Sequence, residues 1–120
     1  MNFRQFQAGP YSVLLKWLQT AIALRHSDSV DVKFILEAAG NREEKTIALP
    51  HADLVALGRD LGRGMNDPWC ARLAAKHLLW MVDTGEDLEK ELVTVRPEQL
   101  REYARALAEE ERAEIAARQR

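Results

Sequence analysis

Residues 66–85 read NDPWCARLAAKHLLWMVDTG, and the fold turns on how this stretch is covered. Asn66 or Asp67 can cap the free amides of a helix start, Pro68 suits the first turn, and Gly85 suits a left-handed stop. Between these marks only Arg72, Lys76 and Asp83 fall together as a narrow polar stripe, at about 100° per residue. Trp69, Cys70, Leu73, Ala74, Ala75, Leu78, Leu79, Trp80, Met81 and Val82 make the rest of the circumference apolar. A helix of that kind is buried on almost every side. The spacing therefore predicts a central helix over residues 67–83, covered by the rest of the chain or shared with a partner.

Upstream of this helix, residues 51–63 keep a helical period through Leu54, Leu57 and Leu61, with Gly64 as a stop. Further back, VDVKFILE sets Val30, Val32, Phe34 and Leu36 against Asp31, Lys33 and Glu37, the clearest strand alternation in the chain. KTIAL (residues 45–49) is its returning partner across a loop containing Gly40 and Asn41, which predicts an antiparallel hairpin ended by Pro50. A lone hairpin is marginal in water, so it must lie on the helices or pair edge to edge with a second copy.

Residues 10–26 are expected to form a helix opened by Gly9 and Pro10. Tyr11, Leu14, Leu15, Leu18 and Ile22 would share its core face. Val13, Trp17 and Leu24 would form a second ridge that widens the apolar arc to about 200°, against about 100° for a one-sided surface helix. Residues 1–9 carry Phe3 and Phe6 without a period and are expected to be a flexible arm. Beyond the central helix, residues 86–91 suggest a short helical turn and residues 92–95 an extended piece. Pro97 opens a last helix with Leu100, Tyr103, Ala104, Leu107 and Ala108 on its stripe. After Glu109 the stripe fades, and residues 109–120 are expected to be a charged, fraying end. The expected fold is α+β, with four main helices and one antiparallel hairpin in the order α-β-β-α-α-α, and residues 10–108 forming one globular domain.

Composition narrows the function classes. A chain of 120 residues with 47% hydrophobic and 30% charged residues suits one globular domain. Its net charge of −2 gives no broad footprint for nucleic acid or an anionic membrane. One cysteine, Cys70, excludes an intrachain disulfide and fits a reducing cytoplasm. The apolar N-terminal stretch is broken by Lys16, Gln19 and Thr20 and is too short to span a bilayer. Arg4 ahead of residues 13–24 has the order of a secretory leader, but no small-residue cleavage site follows, so none is expected.

Cys70 and His77 are the only local pair that invites catalysis or metal binding. Seven residues apart on a helix, they are separated by about 10 Å along the axis, too far for a thiolate–imidazole contact. No CxxC or HxxxH spacing completes a metal site. No catalytic residue, metal or cofactor is therefore expected. GRDLGRG (residues 58–64) lies within a helix and is no phosphate loop. A helix-turn-helix over residues 51–83 would present mostly Leu, Trp, Ala and Met to DNA, which argues against nucleic acid as a partner.

What remains is excess apolar surface on two ridges, Val13–Trp17–Leu24 and Trp69–Leu79–Trp80. Tryptophan is enriched at the energetic centres of interfaces. The leading expectation is a non-catalytic interaction protein that forms a C₂ homodimer, with the central helix or the hairpin edge at the two-fold. It would inhibit or modulate another protein, for instance a transcription regulator, as an anti-activator, adaptor or immunity protein. One alternative is a nucleic-acid-associated regulator that contacts phosphates through Arg59, Arg63, Arg72 and Lys76. The other is a small-ligand or thiol-dependent domain centred on Cys70 and His77.

Overall fold

The computed structural model describes residues 2–21 and 28–119. The element order is β1 (Gln5–Ala8), β2 (Tyr11–Ala21), β3 (Ser29–Ala38), β4 (Asn41–Pro50), α1 (His51–Leu61), α2 (Asp67–Thr84), β5 (Leu92–Thr94) and α3 (Pro97–Arg118). The strands form one sheet in the order β1-β2-β3-β4-β5, antiparallel throughout except for β5, which runs parallel to β4. α1 and α2 lie against one face of this sheet, and α3 packs on both helices. A shortest extent of 23 Å leaves room for one sheet and one helical layer, each about 10 Å thick.

The largest departure from expectation concerns residues 10–26, which are not a helix over their described part. Tyr11–Ala21 is the second strand of the sheet, and Gln5–Ala8, expected as an arm, pairs with it as β1. The fold is still α+β, but it has three helices and a five-stranded mixed sheet in the order β-β-β-β-α-α-β-α. A β-bulge is the physical cause. Leu15 opposes Phe34 and Trp17 opposes Lys33, so Lys16 is one residue more than β3 has to pair with. The extra residue shifts the two-residue alternation. Tyr11, Val13 and Leu15 face the core before it, and Leu18 does so after it, paired with buried Val32. Core positions at 11, 15 and 18 then imitate a helical period.

The hairpin and the other helices form where expected with some bounds shifted: β4 begins at Asn41 rather than Lys45, and α1 stops at Gly62 rather than Gly64. Val30, Val32, Phe34 and Leu36 are buried along β3, and Ile47 and Leu49 meet them from β4. The β3–β4 turn is Ala39-Gly40, both at positive φ (51° and 80°), as a two-residue hairpin turn of right-handed twist requires. At the β1–β2 turn Gly9 has φ +55°, and a Cβ there would stand 2.8 Å from Val82 Cγ1 on α2, so the turn can press against the helix only without a side chain. The central helix starts and stops at its marks. Asn66 Oδ1 accepts from the Trp69 amide at 2.9 Å, and Gly85 adopts φ 78°. Leu73, Ala74, Ala75, Leu78 and Met81 are fully buried. No helix among the described residues is long and apolar enough to cross a membrane.

Lys45 breaks the pattern on β4. It pairs with Phe34 on the core side and is 2% exposed. Its ammonium donates to the carbonyls of Leu88 (2.5 Å) and Lys90 (2.9 Å), which fastens the loop over residues 85–91 before β5. Next to it the Thr46 amide donates to the Glu91 carbonyl at 2.7 Å.

The bulge has a direct test. On a helix Leu14 and Leu15 would share the core face, whereas here Leu14 is 49% exposed and Leu15 packs against the core. In dilute protein Leu15→Ala should cost about 2 kcal/mol or more of unfolding free energy, and Leu14→Ala no more than about 0.5 kcal/mol. Equal losses in urea titrations would contradict the strand assignment.

Candidate functional site

The face of the sheet that carries no helix is built from cross-strand rows. One row runs Leu14–Ile35–Glu44, the next Trp17–Lys33–Thr46–Leu92, and the next Gln19–Asp31–Ala48–Thr94. Leu14 and Leu92 are 49% and 58% exposed. Trp17 is half-buried and stands apart from the main core cluster. The bulge positions the polar part of this face. Lys16 Nζ reaches Glu44 Oε1 at 2.6 Å, and Lys33 Nζ lies 3.5 Å from Glu44 Oε2 and 5.1 Å from the centre of the Trp17 ring. The Lys16 hydrogen bond holds the Glu44 carboxyl below the ordinary carboxylate range.

Trp17 stands between two depressions. One, of about 520 Å³, is bounded by Lys33, Glu44, Thr46 and Leu92 on the bare face. The other, of about 430 Å³, is bounded by Phe3, Leu14, Leu18 and Pro68 where β1 ends. The second follows from unequal strand lengths. β1 pairs with β2 only as far as Leu14, and the last bond between them runs from the Leu15 amide to the Arg4 carbonyl at 2.9 Å. Beyond that point β2 pairs with β3 alone among the described residues. An open strand edge is a template for a further strand, and proteins usually guard it with lysine or a bulge. Lys16 could serve that purpose, but it is drawn onto Glu44. The residues after it, Trp17, Leu18, Gln19, Thr20 and Ala21, carry no charge.

The six expected interface residues do not form one surface. Val13 and Trp69 are 1% and 2% exposed and belong to the core. Leu79 and Trp80 are half-buried on the helical layer and pack against the core rim, with Trp80 stacked on His77 at 5.2 Å between ring centres. Leu24 lies outside the described residues. Of the five described, Trp17 alone stands on the bare face. Leu14, Ile35 and Leu92 join it there without having been anticipated, because their facing follows from the register and the bulge. The β3–β4 hairpin, expected to offer its edges, has the β3 edge covered by β2 and the β4 edge covered by β5 over Thr46–Ala48.

The alternative sites can be placed as well. Cys70 is buried, and burial pushes its thiol up to about 11, away from thiolate chemistry. His77 is 1% exposed, with Nδ1 2.8 Å from the Tyr103 hydroxyl and a buried Nε2 that has no partner among the described residues. Burial lowers His77 to about 4, with Asp87 opposing and Arg96 reinforcing the shift, and raises Tyr103 to about 12. Neutral imidazole and neutral phenol are thus a structural pair in the seam between α2 and α3. Among the described residues no three His, Cys, Asp or Glu side chains converge as a metal site would require. Three of the four cations considered for phosphate contacts are engaged. Arg63 and Arg72 meet Glu111 at 3.5 and 3.9 Å, and Lys76 pairs with Glu110. Arg59 is exposed in the last turn of α1.

No known protein family, curated protein or solved structure matches this chain.

His77 makes stability depend on pH in a defined direction. The folded state holds it neutral down to about 4, while the unfolded chain takes up a proton near 6.5. Its stabilisation is complete above pH 6.5, is lost as the pH falls toward 4, and is flat below that, a change of about 3 kcal/mol. Urea titrations of the wild type and His77→Asn should show their stability difference shrinking by that amount across the window. A constant difference would show that His77 does not carry the effect.

Proposed function

We propose that this chain is a small non-catalytic interaction protein that forms a C₂ homodimer edge to edge through β2 and modulates a partner protein, as an inhibitor, anti-activator, adaptor or immunity protein does. The observation that carries the proposal is the edge of β2 from Trp17 to Ala21, uncharged and without a strand partner on that side among the described residues, flanked by Trp17 and the depression behind Phe3 and Pro68. A second β2 running antiparallel meets that edge with the same residues, and two-fold symmetry makes the edge its own complement. Backbone hydrogen bonds then close both open edges, and the two sheets become one continuous sheet. Trp17 supplies the kind of large, rigid side chain that dominates interface energies. Lys16, Lys33 and Glu44 supply a polar rim beside it.

A non-catalytic role is supported by the state of the only thiol, Cys70, and of His77, both buried and both held neutral. A cytoplasmic setting goes with it, since a single buried cysteine needs no oxidising compartment. The phosphate-binding alternative is weakened by the carboxylates of Glu110 and Glu111 that occupy its cations.

Light scattering at high micromolar concentration should give twice the mass of one chain. Trp17→Glu should weaken assembly by about 2 kcal/mol or more while the far-ultraviolet spectrum stays unchanged. A wild type that remains a single chain under those conditions would defeat the homodimer, as would an unaltered assembly of the variant.

A further inference from the structure

A second surface, on the helical layer, carries unused charge beside exposed apolar groups. Between α1 and α3 runs a groove of about 490 Å³. Its apolar lining comes from Leu57, Leu61, Ala108 and Ile115, of which Leu61 and Ile115 are 45% and 51% exposed. Arg101, Arg105 and Arg112 line it from α3. At about 100° per residue these three fall within about 40° of arc and span about 16 Å of the helix axis, three turns.

These arginines differ from the cations around them. No ion pair among the described residues involves Arg101, Arg105 or Arg112. Glu110, opposite them on α3, and Glu111 are already committed to Lys76, Arg63 and Arg72. Glu98, Glu102 and Glu109 fall on a neighbouring stripe of α3 and form no ion pair with the arginines. Glu111 also lines the groove, but two guanidiniums hold it, which leaves three arginines against Asp60.

We propose that this groove binds an acidic amphipathic helix of a partner protein. The apolar floor takes residues spaced three and four apart, and the arginine row takes carboxylates along about three turns. Guanidinium–carboxylate pairing at the rim sets the orientation of the incoming helix. An extended peptide has no strand edge to pair with here, because both walls are helices with internally bonded backbones. A phosphate backbone would satisfy the arginines and leave the apolar floor without an apolar cover. The surface is separate from the β2 edge, so the chain can dimerise and hold a partner at once.

The test uses the full-length chain and a labelled helical peptide about four turns long, with leucine at positions i, i+3, i+4 and i+7 and glutamate on its flanks. Fluorescence anisotropy should show saturable binding that weakens with salt, and nuclear magnetic resonance shifts should centre on Leu61, Arg105 and Ile115. The double substitution Arg105→Glu and Arg112→Glu should weaken binding at least about tenfold and give that gain to a peptide with lysine in place of glutamate. Light scattering should leave the assembly state of that variant unchanged, which separates this surface from the β2 edge. Equal binding of acidic and basic peptides, no binding of the acidic one, or tighter arginine-dependent binding of a short DNA duplex would each overturn the proposal.

Discussion

A helix that is apolar on nearly every side needs a broad apolar surface beneath it, and that demand shapes the rest of the chain. α2 is eighteen residues long, about 27 Å, and about 10 Å across. Two strands offer a strip only about 10 Å wide, whereas five offer about 20 Å or more. The inner face of the sheet meets the demand with Val32, Phe34, Ile47 and Leu49, all without measurable exposure. α3 closes α2 from another side through Leu100, Tyr103, Ala104 and Leu107, and the His77–Tyr103 pair sits in that seam. With cover on these sides, Trp69 has no surface left to offer a partner.

Much of this was legible in the residues. The caps of α2 were, because Asn66 and Gly85 act through local backbone geometry alone. The alternation from Val30 to Leu36 was, because β3 is flanked by a regular partner on one side and keeps its period throughout. β2 was not legible as a strand, since a single inserted residue at Lys16 breaks its alternation, and only the partner strand reveals that insertion. The four residues of β1 were too few to show a period before Gly9. The site was less legible still. Trp17 was singled out for its type, but its neighbours Leu14, Ile35 and Leu92 come together through cross-strand register. The free edge is a difference in length between two strands, which no local pattern encodes.

Charge is partitioned along the helical layer as apolar area is between the two faces of the sheet. Glu110 and Glu111 of α3 are paired with the cations of α2 and with Arg63 of the α1–α2 connection, which ties these segments to one another. Each exposed pair of this kind contributes little stability. Their larger effect is to decide which cations remain open to solvent. A net charge of −2 therefore conceals a local excess of the opposite sign between α1 and α3.

Lys45 bears on the order in which the molecule closes. β1 to β4 follow one another along the chain, and the β1–β2 and β3–β4 turns need only two residues each, so much of the sheet forms from near neighbours. β5 reaches β4 only after two intervening helices, and the loop before it must settle over the Lys45 ammonium. Until it does, that charge stays in water. When it does, two carbonyls replace the water, and Lys45 forms no ion pair among the described residues. Desolvation of the charge is thus tied to one event, the seating of residues 88–90 over β4. Local opening of the seam between β4 and β5 would return this charge to water while the register of β1 to β4 stays intact.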